Sequence, residues 1–418
     1  VYVGKFIKIP ASFIFDKNLI RLQKEIFMKK ILLILLIIFP VSNRILRSQP
    51  GNDTLVYLIT CGPGTETYSI YGHSAIRIVF PVNHQDLVFN WGVFDFETPH
   101  FVWKFAKGRL DYMLAVESMK SFTSEYFYEK RYVLCQKLNI SPAETKRMIL
   151  LIIENLRPEN VKYRYDFFYD NCSTRIRDLI EKTMGKSLLY PPETGERRPT
   201  FRQLITGYQR GVPWLTFGID LLLGAPVDKR ASYRDLMFLP LYMQKELSEA
   251  VVNRDGKMVP LLQNPDSILD FPVPVLRQNY LETPAFVLTI FFTSILLVSA
   301  LVKKRRFIRW LDIVLFFVFS LLAVLMVFFN FFADHVQVKL NFNIVWINPL
   351  IIFCFVSLII NKPGRIWFKW LFYVLTAFLV IYLLLPQSFN IAILPLVLTL
   401  MVRSSARAGF GWSPFTIK

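Results

Sequence analysis

The spacing of apolar positions changes twice along the chain, and each change marks a different kind of element. The runs LVYLITC (Leu55–Cys61), HSAIRIVF (His73–Phe80) and LVFNWGVFDF (residues 87–96) are short and rich in β-branched and aromatic residues. They read as strands, with PVNHQD joining the last two as a hairpin. Further on, the spacing becomes helical. Ser141, Pro142 and Glu144 form a capping box with proline in first position, which predicts a helix over 142–156. In FFYDNCSTRIRDLIEKTMG (167–185), Ile176, Leu179, Ile180 and Met184 share one helical face; Asp170 or Asn171 caps the start and Gly185 ends it. Thr200 and Gln203 open another helix. The expected class is α+β, a few antiparallel strands packed on helices.

Past residue 283 polar positions become scarce. Apolar segments at 285–302, 307–332, 344–360, 367–385 and 389–402 follow one another. The first four approach the length of about 20 residues that crosses a bilayer, while the last is short and contains Pro395. Basic residues sit in alternate gaps: KKRR at 303–306, NKPGR at 361–365, then Arg403 and Arg407. Placing these inside leaves everything before 285 on the outer side, together with the polar connection ADHVQVKLNFNIVWIN (333–348). An outer-side position for the first part agrees with Met28-Lys29-Lys30-ILLILLIIFPVS, which has the basic start and short apolar core of a secretory signal; Ser42 and Ser48 both fit a cleavage site, and an uncleaved anchor fits as well. Residues 1–26 would then precede the true start. The expected organisation is an upstream segment and signal (1–50), an exported domain (51–266), a proline-rich linker (267–284) and a bundle of about five helices (285–418).

The net charge of +18 with 53% hydrophobic residues suits a membrane surface better than nucleic acid, since zinc-finger spacing and RNA-binding signatures are absent. HExxH and CxxC are absent too, so no metal site is expected, and neither a phosphate loop nor G-x-S-x-G occurs. What remains is a cysteine needing a base. Cys172 falls in the first turn of its helix, where unpaired N–H groups and the helix dipole favour a thiolate. His73, opening a strand after Gly72, is the candidate base. Asn90 is the candidate to orient the ring, on the same sheet face in simple hairpin pairing, with Asp95 the rival if the register shifts. The Cys172 N–H is one candidate oxyanion donor.

Each residue also has a plain alternative. A free cysteine is most often packing, and His84 and His100 lie in apparent loops. Cys61 and Cys135 are either core or a disulfide, and Cys354 lies within a membrane segment. Asp334, His335, Asn341, Asn343 and Asn348 either cap helices in a solvated loop or contact substrate. The stretches 101–114 and 212–226 are apolar enough for core or for membrane docking.

YGHSAIRI (71–78) followed by FFYDNCSTRIRDLI (167–180) resembles the circularly permuted NlpC-type papain-like fold, in which histidine precedes cysteine, as in lecithin:retinol acyltransferase. With FNWGVFDF, PTFRQLI and the 334–349 loop, the chain from Met28 onward is more closely similar to the Lnb-type lipoprotein N-acyltransferases of Gram-negative bacteria. That resemblance implies an inner-membrane enzyme with its catalytic domain in the periplasm and no cofactor. Cys172, helped by His73 and Asn90, would take an acyl chain from a phospholipid as a thioester and pass it to the N-terminal amine of a diacylglyceryl-lipoprotein. Tyr71, Arg77, Asp334 and His335 are expected to contact substrate. The same Cys–His pair would also serve a membrane-tethered cysteine peptidase or amidase acting on peptidoglycan, and a non-catalytic scaffold is the third class.

Overall fold

The computed structural model describes residues 53–192, 198–274, 279–361 and 364–410. The signal-like segment at 28–42 and the segment before it lie outside these residues. The exported part is mixed α/β. β1 (Leu55–Cys61), β2 (His73–Phe80), β3 (Gln85–Val93), β4 (Asp111–Ser118), β5 (Val133–Lys137), β6 (Lys162–Arg164) and β10 (Asp266–Leu269) form an antiparallel sheet in the order β10-β5-β1-β2-β3-β4-β6. β7 (Leu188–Leu189), β8 (Val251–Arg254) and β9 (Lys257–Pro260) make a small second sheet.

Helices cover both faces of the large sheet, because alternation along the strands leaves each face apolar. On one face Val56, Leu58, Ile76, Ile78 and Phe89 pack on the cysteine helix Cys172–Met184 and the helix Pro142–Asn155. On the other, Ile59, Ala75 and Val88 meet Phe122 and Tyr126 of the helix Met119–Tyr128. The expected capping boxes are present at Ser141 and Thr200. Asn171, rather than Asp170, caps the cysteine helix, with Thr174 completing the box.

Two expectations change, and one open choice is decided. β3 stops at Val93 instead of continuing to 96, because a bulge between Trp91 and Val93 places Gly92 at φ +92°. The expected linker from 267 begins with a strand: β10 pairs with β5 and closes that edge of the sheet. Cys61 and Cys135 are buried free thiols on neighbouring strands, not a disulfide.

The C-terminal region is helical and membrane-like. Among the described residues three helices are long and apolar enough to cross a membrane, at Pro284–Leu301, Arg305–Phe332 and Phe342–Ile359. Two more helices, Arg365–Ile381 and Ile393–Ala408, pack with them. The last runs past the expected 402, carrying Arg403 and Arg407 into a buried ion cluster on Asp312. Pro395 falls in its first turn, where a missing N–H costs nothing.

Within the connection 333–348, Gln337, Asn341, Asn343 and Asn348 are buried, whereas Asp334 is exposed. Asn341 donates to the carbonyls of Leu221 and Leu222, and Asn343 to that of Leu221. These amides satisfy carbonyls left over at the C-terminus of the helix Pro213–Leu222. That helix in turn lays Phe217, Leu221 and Leu222 on the core of the bundle. Asn348 caps the start of the following helix through Leu350 N–H.

Candidate active site at the end of the sheet

Cys172, His73 and Asn90 come together where β2 and β3 part. The β1–β2 ladder continues to Cys61↔His73, but the β2–β3 ladder ends at Ile76↔Phe89. The N-terminus of the cysteine helix enters that gap. A Cβ built on Gly92 would stand 3.7 Å from both the Cys172 Cβ and the Tyr165 ring. Those are ordinary contacts, so what calls for glycine here is the positive φ.

The imidazole of His73 faces the Cys172 thiol closely enough for each to shift the other's ionisation, and its Nε2 lies 2.7 Å from Asn90 Oδ1. Asn90 Nδ2 in turn donates to Glu117 Oε1 at 3.5 Å, which fixes the amide with its oxygen towards the ring. Ser173 Oγ lies 3.9 Å from the sulfur, and the Ser74 backbone N–H also favours its ionised form. Burial opposes ionisation of Cys172, only 8% exposed, but the facing imidazolium and these donors outweigh it and hold the thiol below its ordinary range. Burial likewise opposes a charge on His73, yet the facing thiolate and Asn90 raise it above the usual histidine value. The arrangement favours a thiolate–imidazolium pair, which is a nucleophile with its proton donor in place.

The other expected residues are distributed differently. Tyr71, two residues before His73, accepts from Gln209 Nε2 through its hydroxyl and lies edge-on to Phe167. Arg77 is bound bidentately by Asp86 and covers the Tyr57 ring. Four residues from His73 along β2, it is about 13 Å away, so the structure does not bring it to the sulfur. Asp334 pairs with Arg109, and His335 Nε2 meets the Phe105 carbonyl. Both line a cleft of about 300 Å³ with Gly108, Arg164, Tyr165 and Asp166. Gln337 donates to Asp166 at 2.6 Å, and the same carboxylate oxygen accepts Phe168 and Tyr169 N–H. The membrane connection thus grips the turn that leads into Asn171 and Cys172. Asp95, the rival for Asn90, is occupied with Glu97 N–H. His84 and His100 occupy exposed turns with positive φ.

Glu117, Ser74, Ser173, Gly92 and Tyr165 have no distinctive sequence signal. Glu117 is diagonal to Asn90 across β3–β4, so only the register of β4 reveals it. Among the described residues no cluster could hold a metal ion.

Comparison with known families agrees with this organisation. Residues 43–207 match the Lnb N-terminal periplasmic domain, and residues 277–409 match the Lnb transmembrane domain. The chain belongs to the Lnb family. No curated protein and no solved structure matches it. It is therefore a membrane protein with a periplasmic domain, and the whole Cys172–His73–Asn90 constellation lies within the stretch matched to the Lnb periplasmic domain.

Proposed function

We propose that this protein is a lipoprotein N-acyltransferase of the inner membrane, working by a Cys172 thioester. The periplasmic unit is read as a permuted papain-like domain spanning about residues 51–269, His73 preceding Cys172 in the chain. One observation carries the reading: a thiolate-favouring Cys–His–Asn constellation in a domain docked on a membrane bundle. The thiolate attacks the ester carbonyl carbon of a phospholipid. As the C–O bond breaks, the lysophospholipid alkoxide takes the His73 proton, leaving a thioester. The neutral N-terminal amine of a diacylglyceryl-lipoprotein then attacks the thioester, His73 accepts its proton, and the thiolate leaves as the amide forms. The free N–H groups of the first helical turn, that of Cys172 among them, suit the developing oxyanion. A thioester retains enough of the ester's reactivity to acylate an amine without nucleotide or coenzyme, and confining both lipids to one plane supplies proximity.

The test is mass spectrometry of lipoprotein N-termini in cells depending on this protein. The third acyl chain is expected to vanish with Cys172→Ala, and a hydroxylamine-sensitive acyl adduct to accumulate on Cys172 when acceptor is withheld. Unchanged lipoproteins together with altered muropeptides would favour the peptidoglycan-hydrolase reading instead.

A further inference from the structure

Aromatic rings form an unbroken row between the lipid-facing side of the molecule and Cys172. The row begins on the short helix Phe101–Lys107, whose Val102, Trp103 and Phe105 are 77%, 56% and 53% exposed. Trp103 packs on Phe328 at the outer end of the second membrane helix, 5.3 Å between ring centres, beside the exposed Phe331 and Phe332. The helix is held there by Asp334 N–H on the Lys107 carbonyl and by His335 on that of Phe105. Trp103 thus joins the exposed apolar residues of this helix to those at the end of the bundle helix, and Lys104 and Lys107 on the same helix suit the headgroup level.

From there Phe105 stacks on Phe101 (6.2 Å), Phe101 meets Phe96 (5.2 Å), and Phe96 meets Phe94 (4.8 Å). Phe94 touches Tyr112 at 5.0 Å, and Tyr112 stacks on Tyr165 at 4.3 Å. Tyr165 and Cys172 flank the open side of Gly92. Phe96 is 70% exposed, although it packs against Phe94 and Phe101. Such an apolar patch, joined to a membrane surface at one end and a nucleophile at the other, marks a binding surface.

We propose that this row is the acyl-chain seat of the donor: an outer-leaflet phospholipid lays one chain along Phe105, Phe101, Phe96 and Phe94, which brings its ester to Tyr165 and Cys172. The inference rests on the thioester reading above and adds the path by which lipid reaches the sulfur. The row is apolar along its length and ends in two tyrosines. Burial, with the adjoining Cys172 thiolate, pushes the Tyr165 hydroxyl well above its usual range and so keeps it neutral. An acyl chain followed by an ester matches that order of surfaces.

The experiment uses the full chain in phosphatidylethanolamine vesicles and measures acylation of Cys172 from long-chain phospholipid and from a short-chain dibutanoyl phospholipid. With Phe96→Ser and Phe105→Ser combined, the long-chain to short-chain ratio should fall at least tenfold, while Tyr128→Ser, an exposed aromatic away from the row, leaves it unchanged. An unchanged ratio in the double variant overturns the proposal. A second measurement leaves the row intact: phosphatidylethanolamine with a diazirine at mid-chain, photolysed with the unaltered protein, should label residues 94–105. Label confined to the membrane helices overturns it too. Absence of Cys172 acylation from any donor in the unaltered protein would instead sink the thioester reading, which the labelling result does not depend on.

Discussion

Three cysteines outside the membrane helices share deep burial but not electrostatics. Cys61 and Cys135 are pushed up by desolvation, in spite of nearby arginines, and stay thiols. Cys172 goes the other way because an imidazolium, a backbone N–H and a hydroxyl face it. The sign of the pH dependence follows. The thiolate forms above the depressed Cys172 pKa and the imidazolium is lost above the raised His73 pKa, so both shifts favour the charged pair. Alkylation of Cys172 by iodoacetamide should already proceed at pH values where an ordinary thiol is protonated, and acyl transfer should trace a bell. In His73→Ala the rise in alkylation should move to higher pH; an unmoved profile would show that the imidazole does not govern the sulfur. At this scale Cys172 was legible because a helix start is written locally, in Asn171, Thr174 and the apolar face beyond. Glu117 was not, since nothing near it in the chain states which residue stands across from it.

Among elements, the cysteine helix depends most on one side chain. Asn171 accepts Thr174 N–H through Oδ1 at 2.9 Å, and its Nδ2 donates at 2.8 Å to the carbonyls of both Phe167 and Phe238. Asn171→Ala removes a cap worth about 0.5–2 kcal/mol and strands two carbonyls. We expect a lower thermal midpoint in detergent and weaker alkylation of Cys172 at neutral pH; Asn171→Asp should be intermediate, keeping the acceptor but not the donor. Capping boxes and alternating strands were readable because their determinants lie within four residues. The stretch 101–114 was not separable into a helix and the strand β4, since the exposed aromatic residues of the helix Phe101–Lys107 break the usual pattern. Nor could the chain announce that β5 needs β10 beside it, a pairing set across more than a hundred residues.

For the whole molecule, the decisive contacts join the periplasmic domain to the bundle. Arg202 is central to the periplasmic side of this junction. Only 5% exposed, it binds Asp220 at 2.9 Å, Asp228 at 3.0 Å, and the carbonyls of Leu223 and Gly224. The segment it organises then receives Asn341, Asn343 and Gln387 from the membrane region. Arg202→Leu leaves two buried carboxylates without their cation and should cost about 3–5 kcal/mol. The expected result is earlier thermal unfolding of the full chain, with proteolysis opening near 220–228; a midpoint within a degree of the unaltered protein would exclude this role.

By itself the sequence determined the kinds of element, the membrane-like character of the C-terminal segments and the place of one cysteine at a helix start. Each of these depends on residues close together in the chain: spacing, caps and flanking charge. Tertiary structure decided which groups surround the sulfur, that Arg77 serves Asp86, and that the polar 333–348 connection clasps the domain it follows. Those outcomes depend on strand order and docking between distant segments, where the energy lies in pairs of groups that no local pattern brings together.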